Sequence, residues 1–184
     1  MQPLKQLNDW LERYTNRDRY LFSSQDLRGL FPDKSLVAVN TLLSRAVSSG
    51  YLIRVCRGIY MHAKRYPRNG LVLFHVAAHL RSSEFNYISL ETALSDMGVI
   101  SQIPINYISL MSSGRSAIIS CGKFGTIEFV HTEKKAADLV DQLVYDAQCR
   151  LWRAKVALAL RDMKATRRTT IDLVDWSVAD EFIR

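Results

Sequence analysis

The sequence predicts an α+β protein built from two small units, and three observations lead to this prediction. The chain has 184 residues, a length that suits one ordinary domain or two small ones. Its first 70 residues hold 12 Lys and Arg against 5 Asp and Glu, whereas residues 71–184 hold 13 of each. Helical and strand-like patterns occur in both parts. We therefore expect a basic N-terminal unit over residues 1–66 and a neutral α+β unit over residues 71–184.

The composition indicates a chain that folds around an apolar core. Apolar residues make up 48% of it, with only 8 Gly and 4 Pro, which excludes low-complexity and disordered classes. No apolar run reaches the roughly 20 residues of a membrane span, and the charged N-terminus does not resemble a signal peptide, so we expect a cytoplasmic protein. Cys56, Cys121 and Cys149 are odd in number and far apart, which favours buried, reduced thiols over disulfides or zinc ligands.

Two helices are predicted before residue 32. The first is indicated by apolar residues at spacings of three and four, namely Leu4, Leu7, Leu11 and Tyr14. Ser23 and Asp26 have the spacing of a capping box at the start of the second helix. The apolar edge of that helix is formed by Leu27, Leu30 and Phe31. Pro32 then ends it, because proline lacks the backbone N–H.

A third helix is predicted from Lys34 to Ser49, with Gly50 as its left-handed C-terminal residue. Steps of 100° per residue place on the core face Leu36, Val39, Leu43, Ala46 and Val47, with Leu42 on the flank and Asn40 toward the core side. The opposite face holds Lys34, Val37, Ala38, Thr41, Ser44, Arg45 and Ser48. That face is basic and has no carboxylate, whereas an ordinary solvated face mixes both charges.

Residues 51–61 predict a β-hairpin that turns at Arg57-Gly58. Three helices and a hairpin are typical of a winged helix-turn-helix, in which the third helix enters the major groove and hairpin arginines approach phosphates or the minor groove. The candidate DNA-binding residues are Lys34, Ser35, Thr41, Ser44, Arg45, Arg54 and Arg57. The basic run continues after the hairpin with Lys64, Arg65 and Arg68. Winged helices also serve as protein-binding modules, and that alternative stays open.

The second unit follows a turn-rich linker at residues 66–70 and is predicted to begin with a helix from Leu71 to Leu80. His75 and His79 lie one turn apart on this helix, but no glutamate lies between them and no third ligand is identifiable, so we expect no metal site. A short antiparallel sheet is predicted from three segments, Ile105–Met111, Ser116–Ser120 and Thr126–His131.

Helices are predicted for the end of the chain, which has neither Gly nor Pro after Gly125. Helical spacing begins near Glu133 and links Ala136, Val140, Leu143, Ala147 and Leu151, then Trp152, Val156, Ala159 and Met163. A last helix is predicted over residues 170–183. The expected core aromatics are Trp152, Trp176, Tyr107 and Phe129. No phosphate-binding glycine loop or nucleophile motif occurs, and Glu91 and Asp96 have the positions of solvated helix acids, so we expect no catalysis and no cofactor.

The order of four short segments resembles the AbiEi family of antitoxins from bacterial toxin-antitoxin and phage-defence modules. Arg57-Gly58-Ile59-Tyr60 ends the predicted winged helix, and residues 87–94 read Tyr-Ile-Ser-Leu-Glu-Thr-Ala-Leu. Gly98-Val99-Ile100 follows, and Lys135-Ala136-Ala137-Asp138-Leu139 is a divergent form of that family's helix after the sheet. The resemblance covers roughly residues 5–179.

The resemblance implies a DNA-binding autoregulator. Its N-terminal winged helix would bind inverted repeats in double-stranded DNA of its own promoter, and its C-terminal domain would counter a nucleotidyltransferase-like toxin, without necessarily forming a stable complex. Two alternatives stay open. One is a transcriptional regulator whose C-terminal domain senses a ligand or mediates dimerisation, and the other is a nucleic-acid-processing enzyme.

Overall fold

The computed structural model describes residues 2–101 and 103–184 and has an α+β fold. The chain divides into two compact units, of which the first ends at Val72 and the second begins at Leu73. Among the described residues, no helix is both long and apolar enough to span a bilayer.

The N-terminal unit combines three helices with a small sheet. In chain order its elements are α1 (Pro3–Tyr14), β1 (Leu21–Ser23), α2 (Ser24–Arg28), α3 (Leu36–Ser48), β2 (Leu52–Cys56) and β3 (Ile59–His62). The sheet is antiparallel with the order β1-β3-β2. The three predicted helices and the hairpin are confirmed. The sequence analysis missed β1, although Tyr20, Leu21 and Phe22 are all buried and form an apolar run before α2.

The core of this unit fixes α3 against the other two helices. It is formed by the buried residues Leu7, Leu11, Phe22, Leu27, Phe31, Val39, Leu42, Leu43, Ala46 and Leu52. The predicted capping box starts α2 as expected. The Ser23 hydroxyl accepts a hydrogen bond from the Asp26 backbone N–H at 3.0 Å, and the Asp26 carboxylate accepts one from the Ser23 N–H at 2.7 Å.

The C-terminal end of α3 is closed by a glycine in the left-handed conformation. Gly50 has φ 75°, its N–H donates to the Val47 carbonyl at 3.0 Å, and the Tyr51 N–H donates to the Ala46 carbonyl at 3.0 Å. These two bonds form a Schellman motif, which satisfies carbonyls that the helix end leaves open. The chain then enters β2 directly, so this turn sets the position of the hairpin relative to α3.

The C-terminal unit is built on a six-stranded sheet with the order β6-β7-β5-β4-β9-β8, in which β8 is Leu143–Asp146 and β9 is Leu151–Ala154. Its first elements are α4 (Val72–Leu80), β4 (Asn86–Ile88), α5 (Leu90–Asp96), β5 (Tyr107–Ser112), β6 (Ala117–Ser120) and β7 (Thr126–His131). The predicted strands and the helix from residue 71 are confirmed. The expectation of a purely antiparallel sheet is wrong, because β7 runs parallel to β5, and β9 runs parallel to β4.

The long helix predicted after Glu133 is also wrong. A 3-10 helix, Ala136–Gln142, is followed by a hairpin of β8 (Leu143–Asp146) and β9 (Leu151–Ala154). The hairpin turn uses neither Gly nor Pro. The Asp146 carboxylate accepts from the backbone N–H groups of Gln148 and Cys149, both at 3.0 Å, and Arg150 takes the left-handed conformation with φ 59°. The turn therefore lacks the Gly and Pro that mark turns most strongly in a sequence, and Asp146 is its one turn-forming residue type.

The chain ends in two short helices, α6 (Val156–Ala165) and α7 (Trp176–Ile183), with a 3-10 helix at Thr169–Leu173 between them. The predicted helix over 170–183 is thus split. Trp152 and Trp176 were expected in the core but are about half exposed, whereas Phe129 is buried as expected. Trp152 belongs to β9 and packs its ring edge-on against Tyr145 at a centroid distance of 5.3 Å. The three cysteines are buried and free, which confirms their predicted burial.

A test of the Schellman turn is the substitution Gly50→Ala. An added Cβ at Gly50 meets no atom within 4 Å, so the whole effect comes from the positive φ. We expect the free energy of unfolding to fall by about 1–2 kcal/mol. Denaturant unfolding of the full chain measures this. The control is Ser49→Ala, at the preceding residue with φ −85°. Equal stabilities of the two variants would contradict the role of Gly50.

Candidate nucleic-acid interface and a second polar site

The buried side of α3 determines which of its residues are available to a partner. The buried residues are Val39, Leu42, Leu43 and Ala46. The exposed residues are Leu36, Val37, Ala38, Asn40, Thr41, Ser44, Arg45 and Ser48. We call these eight residues the outer face of α3. Like the predicted face, it contains no carboxylate.

Two residues predicted on the core side of α3 are exposed. Leu36 is 54% exposed, and Asn40 is exposed as well. The reason is that Leu42, which was predicted on the flank, is buried and the buried stripe is centred nearer to it. Burial also begins only at Val39, one turn into the helix. The prediction that Leu36 belongs to the core is therefore wrong.

The hydroxyl groups of the outer face and of the helix start are partly occupied within the helix. Ser35 is the N-cap of α3, and its side chain accepts a hydrogen bond from the Ala38 N–H at 3.2 Å. The Thr41 hydroxyl donates to the Val37 carbonyl at 2.9 Å, and the Ser48 hydroxyl donates to the Ser44 carbonyl at 3.1 Å. A hydroxyl has one proton, so Thr41 and Ser48 keep only acceptor capacity for a partner.

Four predicted cations are available on the surface of this unit. Arg45, Arg54 and Arg57 are exposed, and Lys34 is half-buried. Within the part of the chain that the structure describes, no carboxylate lies within ion-pair distance of any of the four.

Lys64 and Arg65, which continue the predicted basic run, are not free in the same way. The Glu12 carboxylate lies 2.7 Å from the Lys64 ammonium and 3.7 Å from the Arg65 guanidinium. The hydrogen bond from Lys64 holds the pKa of Glu12 below its usual value. Lys64 and Arg65 thus share a carboxylate within the fold, whereas Lys34, Arg45, Arg54 and Arg57 have no such neighbour among the described residues.

The turn between β2 and β3 places Arg57 at the tip of the hairpin. Gly58 has φ 78°, and its carbonyl accepts a hydrogen bond from the Ser24 N–H at 2.9 Å. This bond ties the turn to the start of α2. The strand register shifts between Arg54 and Cys56, which marks a bulge beside the turn. A rigid turn thus presents an unpaired arginine.

Phosphate contact is the chemistry that these groups support best. Exposed guanidinium groups attract phosphates whatever the base sequence. The Thr41 and Ser48 hydroxyls, whose protons are donated within α3, can only accept a hydrogen bond from a nucleic acid. The outer face of α3 together with Arg54 and Arg57 brings the predicted residues into one small unit. Of the seven predicted site residues, Ser35 has a structural role as a helix cap, which the sequence analysis did not assign to it.

The C-terminal unit contains a polar cluster that the sequence analysis missed. Arg168 lies between two glutamates and makes paired hydrogen bonds to each. Its Nε and one Nη are 2.8 Å from the Glu91 oxygens, and its two Nη atoms are 2.7 Å from the Glu128 oxygens. Thr170 donates to Glu91 at 2.5 Å, and Tyr107 donates to Glu128 at 3.0 Å. We call these five residues the Arg168 cluster.

The ionisation of the Arg168 cluster follows from these bonds. Burial raises the pKa of Glu91, but hydrogen bonds from Arg168 and Thr170 outweigh burial and hold it below the usual value. The bonds to Glu128 and Glu91 raise the pKa of Arg168. Burial and the bond to Glu128 raise the pKa of Tyr107 to about 12. Glu91 and Arg168 are therefore both ionised at neutral pH and form an ion pair.

Backbone strain accompanies both ends of the pair between Glu91 and Arg168. Leu90 and Arg167, the residues directly before them, have φ values of 56° and 54°. Residues other than glycine seldom adopt this conformation, and it costs of order 1 kcal/mol each. At Arg167 this conformation belongs to the C-terminal turn of α6. The Arg167 N–H donates to the Lys164 carbonyl at 3.1 Å, and the Arg168 N–H donates to the Met163 carbonyl at 3.0 Å.

A cavity of about 260 Å³ opens beside the cluster. Its polar wall includes Glu91, Glu128 and Arg168, and its apolar wall includes Ile103, Pro104 and Leu173. Glu91 was expected to be a solvated helix acid, and that expectation is wrong. The sequence signal for the burial of Glu91 was its position in the mainly apolar segment Leu90–Leu94, all of which is buried. Its partner Arg168 lies too far along the chain to be assigned from one sequence.

His75 of α4 contacts a backbone carbonyl of the C-terminal unit. His75 is buried, and its Nε2 lies 2.6 Å from the carbonyl oxygen of Gln148. Within residues 2–101 and 103–184, no three potential ligand side chains gather into a metal-binding group.

The chain was compared with protein-family models and with curated proteins, and neither a family model nor a curated protein matches it.

The Arg168 cluster predicts a specific loss of stability in Arg168→Met. Removing one partner leaves two carboxylates in a largely buried site, so we expect the free energy of unfolding at pH 7 to fall by about 3 kcal/mol. The depressed pKa of Glu91 stabilises the wild type above the unfolded pKa of about 4.3, and this stability is lost as pH falls through the folded value.

The difference between wild type and Arg168→Met should therefore narrow as the pH falls from 7 toward 4, because the variant's carboxyls protonate more readily. Denaturant unfolding across this pH range measures it. The control is Arg161→Met at an exposed arginine, for which we expect little change. A pH-independent difference would contradict the proposed ionisation of the cluster.

Proposed function

We propose that this protein is a cytoplasmic DNA-binding antitoxin that represses its own toxin-antitoxin operon and antagonises a nucleotidyltransferase-like toxin. The single observation that carries the DNA-binding part is the carboxylate-free outer face of α3, combined with unpaired arginines on α3 and the hairpin. We assign the chain no catalysis of its own.

The element order of the N-terminal unit supports a winged helix-turn-helix. Three helices, an antiparallel sheet of order β1-β3-β2 and a short hairpin occur in the expected sequence. In this arrangement α3 is the helix for the major groove, and the hairpin is the wing. Arg54 and Arg57 would then contact phosphates or the minor groove. Inverted repeats in the protein's own promoter are the proposed target.

The antitoxin part rests on the resemblance to the AbiEi family, in the segments that end at Tyr60 and that contain Glu91. The structure gives the second of these segments a buried and strained site in the Arg168 cluster. The C-terminal unit has a net formal charge of zero beyond residue 70, so it is the unit in which a function other than DNA attraction should lie. A direct complex with the toxin is not required.

The proposal predicts binding to duplex DNA that weakens steeply with salt. Each phosphate contact contributes about 0.9 to the slope of log affinity against log salt concentration. Mobility shift of a fragment of the protein's own promoter, between low and high salt, measures the slope. Arg57→Ala should lower the affinity for all duplexes and reduce the slope by about 1, and Arg45→Ala should also weaken operator binding.

The matched control is Arg161→Ala, which removes the same charge from an exposed site in the C-terminal unit. We expect it to leave affinity and slope nearly unchanged. Absence of binding, a salt-independent affinity, or equal losses in Arg161→Ala and Arg57→Ala would contradict the proposed interface.

A second candidate function is a transcriptional regulator whose C-terminal unit senses a ligand. The observation that favours it is the cavity beside the Arg168 cluster, which combines a charged wall with an apolar wall. Such a combination is typical of pockets that orient a small molecule. DNA binding by the N-terminal unit is common to both candidates.

Co-expression with the adjacent gene separates the two candidates. An antitoxin should restore growth when the neighbouring gene alone stops it, and Arg168→Met should reduce rescue only as far as it reduces the amount of folded protein. A neighbour that is not toxic, or a toxic neighbour that this chain does not counter, would contradict the antitoxin and favour the regulator.

A further inference from the structure

The N-terminal end of α3 is apolar on the side that faces solvent. Leu36 is 54% exposed and Val37 is 75% exposed, and the next residue, Ala38, is exposed as well. We call these three residues the apolar tip. They are the first three residues of the helix after its N-cap, Ser35.

Two polar side chains beside the apolar tip make hydrogen bonds within the helix. The Ser35 side chain accepts from the Ala38 N–H, and the Thr41 proton is donated to the Val37 carbonyl. At the tip itself a partner meets methyl and methylene groups, with the Lys34 ammonium and the Ser35 hydroxyl on the residues just before it. Arg45 lies eight residues beyond Val37, which is about 12 Å along the helix axis.

The major groove offers one apolar group that matches such a surface. Among the four bases, only thymine presents a methyl group there, and apolar side chains recognise it by direct contact. In helix-turn-helix proteins the N-terminal residues of the recognition helix contact base edges. The groove is about 12 Å wide, which is similar to the distance from Val37 to Arg45 along the helix. When the apolar tip contacts the bases, Arg45 can therefore reach the flanking phosphates.

We propose that the apolar tip selects thymine, with Leu36 and Val37 packed against the C5 methyl groups of thymines in each half-site. The inference rests on the proposed DNA binding and assigns base selection to residues other than the predicted polar ones. Arg45, Arg54 and Arg57 supply attraction to the duplex. Because these arginines are positively charged, we take DNA rather than another protein as the partner of the exposed apolar residues.

The experiment begins with the full chain and a pool of random-sequence duplexes. Enriched duplexes are resynthesised with deoxyuridine in place of thymidine, one position at a time, because deoxyuridine lacks only the methyl group. We expect the affinity to fall about fourfold at each contacted position, from the loss of one buried methyl. Positions outside the contact should show no change.

Variants at the tip identify the contact. Val37→Ala should still bind the enriched duplex but lose the difference between thymidine and deoxyuridine, and Leu36→Ala should lose it at a neighbouring position. Ser48→Ala, at an exposed residue of the outer face far from the tip, should keep the difference. All three sites are exposed, and thermal unfolding verifies that the variants are folded.

The outcomes distinguish this inference from the proposed function. If the pool yields no enriched duplex and the protein binds no DNA, both fail. If the protein binds DNA and Arg57→Ala weakens it, but deoxyuridine binds as well as thymidine, only the thymine contact is overturned. Retention of the full thymidine preference in both Val37→Ala and Leu36→Ala would overturn it too.

Discussion

The buried stripe of α3 is the constraint on which the proposed DNA-binding surface depends. Val39, Leu42, Leu43 and Ala46 pack into the core with α1 and α2, so one side of α3 cannot turn toward solvent. The other side is then exposed along its whole length. Gly50 ends the helix with a Schellman motif and leads directly into β2. The helix, its free face and the start of the hairpin are therefore fixed together.

Charge within the N-terminal unit is divided between internal pairing and the free surface. Glu12 holds Lys64 and Arg65, whereas Arg45, Arg54 and Arg57 have no carboxylate partner among the described residues. The C-terminal unit shows the opposite arrangement at Arg168, whose guanidinium is saturated by Glu91 and Glu128. Arginines in one unit are thus available to a partner, and Arg168 in the other pairs with carboxylates of its own fold.

Local patterns allowed much of this structure to be predicted. The capping box at Ser23, the left-handed Gly50 and the strand at Thr126–His131 depend on residues close in sequence, and they were predicted within a few positions. The hairpin at β8 and β9 was missed because Asp146 and Arg150 build its turn without Gly or Pro, while the flanking apolar residues happen to have helical spacing. The Arg168 cluster was missed because its members meet only through tertiary packing.

The DNA-binding site stays a prediction, and the structure shows only where its residues lie. The three arginines among the seven predicted residues are exposed. Ser35 is a cap because α3 begins at Leu36 rather than at the predicted Lys34, and the exposure of Leu36 depends on where the buried stripe is centred. Helical geometry alone places the centre of the buried stripe only to within about half of one 100° step. A rotation of that size about the helix axis moves Leu36 from the core to the surface.

The most direct test of the central claim is amide hydrogen exchange of the full chain with and without a bound promoter duplex at low salt. We expect slower exchange on DNA binding in α3 and in the turn at Arg57-Gly58, with no change at Glu91 and Arg168. Protection confined to the C-terminal unit, or no protection at α3 while the duplex is bound, would contradict the assignment of DNA binding to the outer face of α3.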